Sequence, residues 1–565
     1  MPHSDDGRTA FPRADLPGAS RSSEGPLSKE AGTALESHGP HLPYTAFEMD
    51  VDSFVGEFNE RVIGAYGQGR DAQLPADVGV ARSLIPAGTG VFRDFSHVAP
   101  QLPHFEPERC VACMECVNFC PDTAILAKAA EPEAVAAVAE TIADEAERRD
   151  FLTQWVRTAK FHGLLEKKGE RGGLFAIYVD PTKCKACGEC VEVCGDHRAL
   201  EMRTKDEGML EAFRTRTKNM RAVPETPGRF LAKRLPVDAM LREQRALLYA
   251  GGAGSCAGCG EATVIRMMLA ATGVEHPAEE IGIVAATGCN TVFASTYPYN
   301  PYRVTWTNSL FENAPAVAMG ICMRWDQQGL GRRRLWVLGG DGAMYDIGFQ
   351  SLSRMLASGM DIKVLVMDTQ VYSNTGGQAS TSTFTAQGAK MSPYGAVIHG
   401  KTEHRKELAN IALMYPYVYV AQTATPYLSH FYQAIREANA FPGPALVSVY
   451  ATCQPEHGVA DDLSQAQARR AVVGRAFPLF IHDPRKGERL SERLSLKGNP
   501  ATTEDWWTDP GTGKPYTFVD FARTEARFAK QIGADGEPSR ELLASQEDRL
   551  RNWRLLRELA GTLKA

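Results

Sequence analysis

From about Gly251 onward the chain alternates short, unbroken apolar runs with longer mixed stretches. The runs IGIVAAT (281–287), RLWVLGG (334–340), IKVLVMD (362–368) and ALVSVYA (445–451) are each one strand long and apolar on both faces. They predict a parallel sheet with helices on both faces, an α/β domain over 251–458 whose chemistry lies at the strand C-terminal ends. Upstream, 102–250 reads as a small α+β module interrupted at about 133–161 by an Ala-, Glu- and Leu-rich helical insertion without Pro or Gly. Residues 45–101 read as a linker or capping segment with a short helical stretch near 51–65. Residues 1–44 have no hydrophobic period and predict a disordered tail. The remainder, 459–565, predicts an extension ending in an amphipathic helix, RELLASQEDRLRNWRLLRELAGTL, packed on this chain or on a partner.

Composition narrows the class. The 565 residues carry 62 Lys+Arg against 68 Asp+Glu, a net of −6, which leaves no electrostatic footprint for nucleic acid or an anionic membrane. No apolar run approaches the roughly 18 residues of a membrane span. The first twenty residues carry Asp5, Asp6, Arg8, Arg13 and Asp15, where a signal peptide would be apolar. The expectation is a cytoplasmic protein. Thirteen cysteines in a reducing compartment need a role other than disulfides.

Eight of them form two C-x2-C-x2-C-x3-C motifs: Cys110, Cys113, Cys116 and Cys120, then Cys184, Cys187, Cys190 and Cys194. Three cysteines three residues apart wrap one cubane and the fourth reaches the other, so the repeat predicts two [4Fe–4S] clusters with crossed ligation in a bacterial ferredoxin-like domain. A zinc site has no use for eight thiolates at this spacing. Gly195 replaces the proline that usually follows the fourth cysteine. The 63 residues between Cys120 and Cys184 make the helical stretch an insertion between the ferredoxin halves. A looser set, Cys256, Cys259, Cys289 and Cys453, fits zinc, a redox dithiol, buried thiols or a third cubane. Cys289 and Cys453 each follow a predicted strand, which brings both to the rim where a Gly-rich CAGC loop could meet them. Three clusters would consume twelve cysteines and leave Cys322 as an inert thiol in an apolar helix.

LGGDGAMYDIGFQSL (338–352) reads as strand, Gly-Asp-Gly turn and helix. Such a turn lets backbone approach a phosphate at a helix N-terminus and offers Asp341 to the Mg2+ that neutralises a diphosphate. After the next strand comes DTQVYSNTGGQ (368–378), where the Thr369 hydroxyl and Val371 carbonyl could complete an oxygen shell. This is the layout of a thiamin diphosphate site. Thr369 stands where most thiamin enzymes carry Asn.

YSNTGGQ, SCAGCGE, FPGPALVSVYATC and the paired cysteine motifs, over roughly residues 85–560, resemble the C-terminal half of the pyruvate:ferredoxin (flavodoxin) oxidoreductases, within the 2-oxoacid:acceptor oxidoreductases. The resemblance implies that Cys256, Cys259, Cys289 and Cys453 hold the cluster nearest thiamin, and that Asp341, Thr369 and Val371 bind Mg2+. It places cofactor contacts at Glu261, Thr287, Gly288, Cys289, Gly340, Asp341, Gly342, Ala343 and the 369–374 loop (Thr369, Gln370, Val371, Tyr372, Ser373, Asn374), with Asn374 catalytic at the substrate carbonyl. It further implies oxidation of a 2-oxoacid, with pyruvate leading and 2-oxoglutarate behind, to an acyl-coenzyme A, with electrons passing to ferredoxin or flavodoxin. The aminopyrimidine Glu and the substrate- and coenzyme A-binding groups of that family cannot fit within residues 1–100. The expectation is therefore one subunit of a split hetero-oligomeric enzyme. CQPEHG after Cys453 departs from the family's CINQG. An electron-transfer module without thiamin, and a non-redox thiamin decarboxylase, are the rival readings.

Overall fold

In the computed structural model, β1 (Gln101–Phe105) pairs antiparallel with β4 (Leu200–Thr204), and β2 (Ile125–Ala130) with β3 (Leu174–Val179). Each cysteine motif lies between two of these strands, and each contains one short helix, Glu115–Phe119 or Glu189–Glu192. The order strand, cysteine loop, short helix, strand therefore occurs twice in this ferredoxin-like module. The structure describes residues 87–563 apart from 232–235, 297–298, 394 and 396–398, together with 56, 60–61, 64–74 and 85. The expected tail at 1–44 and most of the stretch at 51–65 lie outside them. The insertion between β2 and β3 holds two longer helices, Pro132–Thr141 and Glu145–Thr153, followed by the short helical turns Ala159–Gly163 and Leu164–Glu166. The break falls at Asp144, whose side chain accepts from Glu147 N at 2.8 Å and starts the second helix. Phe161 beyond it stacks on Phe175 of β3, ring centroids 5.2 Å apart, and anchors the insertion.

The largest sheet among the described residues has eight strands. β5 (Ile281–Ala286), β6 (Thr305–Ser309), β7 (Arg334–Gly340), β8 (Ile362–Asp368), β9 (Tyr419–Ala424) and β10 (Ala445–Tyr450) are parallel in the order 9-10-8-7-5-6. All four expected strands are present; β6 and β9 were not foreseen. The sheet is not purely parallel, because β11 (Phe480–His482) runs antiparallel to β9 and β12 (Leu494–Ser495) antiparallel to β11. These come from the expected extension, which thus completes the sheet. Strands of three and two residues carry no hydrophobic period to announce them.

Alternation along the strands assigns the layers. Trp336, Leu338, Leu365, Met367, Val447 and Val449 pack into one core that also contains Leu102, Val117 and Phe119 of the ferredoxin module. Val337, Val364, Val366 and Leu446 point the other way, into a core shared with Trp553 and Leu556 of the helix Arg540–Leu559. The amphipathic C-terminal helix thus packs on its own chain. From β5 the chain adds β6 on one side and then returns to add β7 on the other, which puts the switch point at the ends of β5 and β7, the crevice where such sheets bind ligands. Among the described residues no helix is long and apolar enough to cross a membrane.

Candidate cofactor site

At that switch point lies a cavity walled by the ends of β5, β7 and β8. Thr287, Gly288 and Cys289 line it after β5, Gly340, Asp341, Gly342 and Ala343 after β7, and Thr369, Val371, Tyr372, Ser373 and Asn374 after β8, with Glu261 from the helix Gly260–Thr272. Asn374 is exposed at the mouth. A Cβ on Gly342 would meet the Tyr372 ring at 2.4 Å, so only glycine lets these two walls close. Gln370 alone among the expected contacts turns away. Its φ of 57° reverses the chain, and its amide donates to Asp368 Oδ1 at 3.0 Å while its Oε1 accepts from Arg527 at 3.0 Å.

Three oxygens converge at the β7 and β8 ends. Thr369 Oγ1 lies 3.0 Å from Asp341 Oδ1 and 3.1 Å from the Val371 carbonyl. Cis oxygens of an octahedral Mg2+ with bonds of about 2.05 Å stand about 2.9 Å apart, so both of these spacings match neighbouring positions on the ion. Behind it, Ser380 and Ser382 donate to Asp341 Oδ2 at 2.5 and 3.1 Å. Burial, then the neighbouring Asp368, pushes the Asp341 carboxyl up to about 7. Asp368 is held below the usual range against its burial, because Arg405 pairs with it at 2.5 Å. Glu261 is buried, its Oε2 has no partner among the described residues, and burial, then Asp341, pushes its carboxyl up to about 8. An orphaned acid and an oxygen trio in one Gly-lined crevice fit a diphosphate cofactor with its metal.

The cysteines frame the remaining cavities. Cys110, Cys113 and Cys116 line one together with Cys194, and Cys184, Cys187 and Cys190 line another together with Cys120. Each fourth cysteine therefore crosses to the other motif's cavity. Ala112 and Ala186 occupy the same place in the two motifs and share a φ of 59°. This uncommon backbone turns their N–H groups toward Cys110 and Cys184 Sγ at 3.5 and 3.4 Å. Among the described residues no three His, Cys, Asp or Glu groups close tightly enough for a single ion; ligands of a cubane sit on separate irons, farther apart. In the third set, burial, then Glu261 and the Cys259, Cys453 and Cys256 thiols, pushes the Cys289 thiol up. Cys289 also walls the cofactor cavity, and the Cys453 thiol, pushed up to about 11 mainly by burial, has Ser373 of that cavity as a neighbour. Cys322 is buried in the helix Ala314–Gln327, apart from all three sets.

Several residues escaped the sequence reading. Asn290, Phe311 and Thr375 line the cavity. His457 and Arg527 both reach the Thr369 carbonyl from behind. In CQPEHG, Glu456 lies against Gly377 of the YSNTGGQ loop: a Cβ there, at a φ of 85°, would fall 1.8 Å from its carboxylate. The run of Ser and Thr at 380–383 was the one available signal for the hydroxyls behind Asp341.

The fold and site define a thiamine pyrophosphate-binding α/β domain joined to a 4Fe–4S ferredoxin-like module. Residues 286–449 match the family model described as thiamine pyrophosphate enzyme, C-terminal TPP binding domain, and residues 103–126 match a 4Fe-4S binding domain. The chain is similar to a probable pyruvate-flavodoxin oxidoreductase of Escherichia coli, 28% identical over 82% of this chain and 42% of that protein. It is similar also to the pyruvate:ferredoxin oxidoreductase of Moorella thermoacetica, 27% identical over 87% of this chain and 45% of that one. It thus spans less than half the length of these relatives. Among solved structures, 2-oxoglutarate:ferredoxin oxidoreductase from Magnetococcus marinus aligns over 36% of this chain and 64% of that one, at 24% identity and a TM-score of 0.30.

Proposed function

We propose that this chain is the thiamin diphosphate and iron–sulfur subunit of a split 2-oxoacid:acceptor oxidoreductase. A 2-oxoacid, with pyruvate first, and coenzyme A would yield an acyl-coenzyme A and CO2, releasing one proton and two electrons. Three [4Fe–4S] clusters would carry the electrons to ferredoxin or flavodoxin. The observation that carries this reading is the shared wall: Cys289 lines the cofactor cavity, and Ser373 of the same cavity neighbours Cys453. A cofactor there would react in contact with an electron acceptor.

Thiamin diphosphate, when bound, supplies the nucleophilic carbon and the electron sink for decarboxylation. Asp341, Thr369 and Val371 would hold its Mg2+, and the backbone of 340–343 would receive the diphosphate. Asn374 at the mouth would meet the substrate carbonyl. Leu310, beside the cavity-lining Phe311, and Ile347, five residues past Gly342, stand 59% and 55% exposed, and exposed apolar side chains on segments that wall an open site suit a protein partner. We assign that partner the aminopyrimidine acid and the 2-oxoacid and coenzyme A contacts.

The test is anaerobic co-purification with the protein encoded beside it, followed by a viologen assay with coenzyme A. Reduction that depends on a 2-oxoacid and on thiamin diphosphate supports the reading. Intact clusters with no reduction by any 2-oxoacid refute it and favour a pure electron-transfer module.

A further inference from the structure

Arg266 is fully buried, on the helix Gly260–Thr272 that begins directly after Cys259. Its Nε donates to Thr123 Oγ1 at 2.9 Å, and its NH1 to the carbonyls of Val117, Asn118 and Cys120, the latter two at 3.2 and 3.1 Å. All four acceptors are neutral oxygens, and NH2 has no partner among the described residues. The nearby buried carboxylate, Asp122, is engaged by Lys185 at 2.7 Å. A fixed guanidinium is thus buried without a carboxylate of its own, which is costly unless a negative charge lies close by.

The position of its acceptors shows where that charge would be. Val117 to Cys120 is the stretch joining Cys116, in one cysteine cavity, to Cys120, which crosses into the other. The side chain therefore sits at the joint between the two cavities while its helix starts at the third cysteine set. A cubane held by four thiolates is a net anion that gains one further negative charge on reduction. A cation fixed beside it in low dielectric favours the reduced state.

We propose, resting on the cluster reading above, that Arg266 is the counter-charge of the ferredoxin pair. It raises above all the reduction potential of the centre at Cys120, Cys184, Cys187 and Cys190. One electron leaving the third centre oxidises that centre and reduces this one, with no proton moved. Arg266 is a positioning residue: it touches neither substrate nor cofactor and acts through the centre it faces.

The test is an EPR-monitored redox titration of the full chain, loaded anaerobically with iron and sulfide, as wild type, Arg266→Gln and Arg266→Lys. Arg266→Gln is expected to lower one potential so that the ratio of reduced to oxidised centre at fixed ambient potential falls about tenfold, about 59 mV for one electron. Arg266→Lys keeps the wild-type value. Cubanes fully loaded in Arg266→Gln with unmoved potentials overturn the inference. Should Arg266→Gln fail to take up iron, Arg266→Lys decides: a wild-type potential despite the altered carbonyl bonds supports a role of charge, and a displaced potential overturns it. Absence of cubane signals in the wild type overturns the cluster reading itself, and this inference with it.

Discussion

His457 Nε2 donates to the carbonyl oxygen of Thr369 across 2.8 Å, while its Nδ1 faces the backbone N–H of Cys453 at 3.5 Å. One imidazole thus ties the turn that carries a cysteine of the third set to the loop that would hold the metal. Burial, then the Arg527 charge, drives its pKa well below the usual histidine range, so it stays neutral as this tautomer requires. Arg527 reaches the same carbonyl at 3.4 Å and pairs with Glu525 at 2.6 Å, and Glu525 accepts from Tyr450 at 2.8 Å.

Replacing His457 by Leu keeps bulk and removes both bonds. The expected cost is about 1–3 kcal/mol, because a buried carbonyl loses its shorter donor. Thermal unfolding checks the loss. Isothermal titration should show Mg2+–thiamin diphosphate affinity falling about tenfold, the equivalent of about 1.4 kcal/mol. Unchanged affinity would confine His457 to stability.

The oxygen trio makes a graded claim. Asp341→Asn removes the one charged member and should abolish Mg2+-dependent cofactor binding, a loss of at least about a hundredfold, or about 2.7 kcal/mol. Thr369→Val should weaken it by less, and Thr369→Ser, which retains the hydroxyl, should stay near wild type. Equal effects of Val and Ser at 369 would show that the hydroxyl is not a ligand.

Crossed lining gives an outcome that sequence proximity would not. Cys120 lies in the first motif, yet Cys120→Ala should cost the cluster bounded by Cys184, Cys187 and Cys190, and Cys194→Ala the one bounded by Cys110, Cys113 and Cys116. Each should lower the iron content by about four per chain. Mössbauer or EPR spectra of paired variants check the assignment: Cys120→Ala combined with Cys187→Ala should lose one centre, and Cys120→Ala with Cys113→Ala two.

Lys185 joins the ferredoxin module to the loop before Cys256. Its ammonium lies 2.7 Å from Asp122 Oδ1 and donates to the Ser255 carbonyl and hydroxyl, both at 2.8 Å. Lys185→Met strands a buried carboxylate and should cost about 3–5 kcal/mol, whereas Lys185→Met with Asp122→Ala should recover much of that loss. A double-mutant cycle from unfolding midpoints decides, and an additive double variant would rule out the pairing.

What the sequence disclosed follows physical lines. The ferredoxin cysteines are contiguous and periodic, and β5, β7, β8 and β10 are unbroken apolar runs, so both were legible. β6, with the polar sequence TWTNS at the sheet edge, and β11, only three residues long, carry no such pattern. Most residues that wall the cavity were readable because Gly-Asp-Gly and YSNTGGQ are local. That Gln370 faces away from the cavity was hidden, because spacing does not reveal a reversed φ. The support behind the Thr369 loop was hidden for a different reason: His457, Glu525 and Arg527 meet there from segments up to 158 residues away, and each is unremarkable in its own neighbourhood.

The central claim, that the cofactor cavity and the third cysteine set form one electron-transferring site, is tested most directly by freezing the anaerobic complex after adding a 2-oxoacid with no external acceptor and recording its EPR spectrum. Reduced-cluster signals that appear only with thiamin diphosphate and Mg2+ present, and that vanish in Cys453→Ala, are the expected result. Decarboxylation with the clusters still oxidised would contradict it.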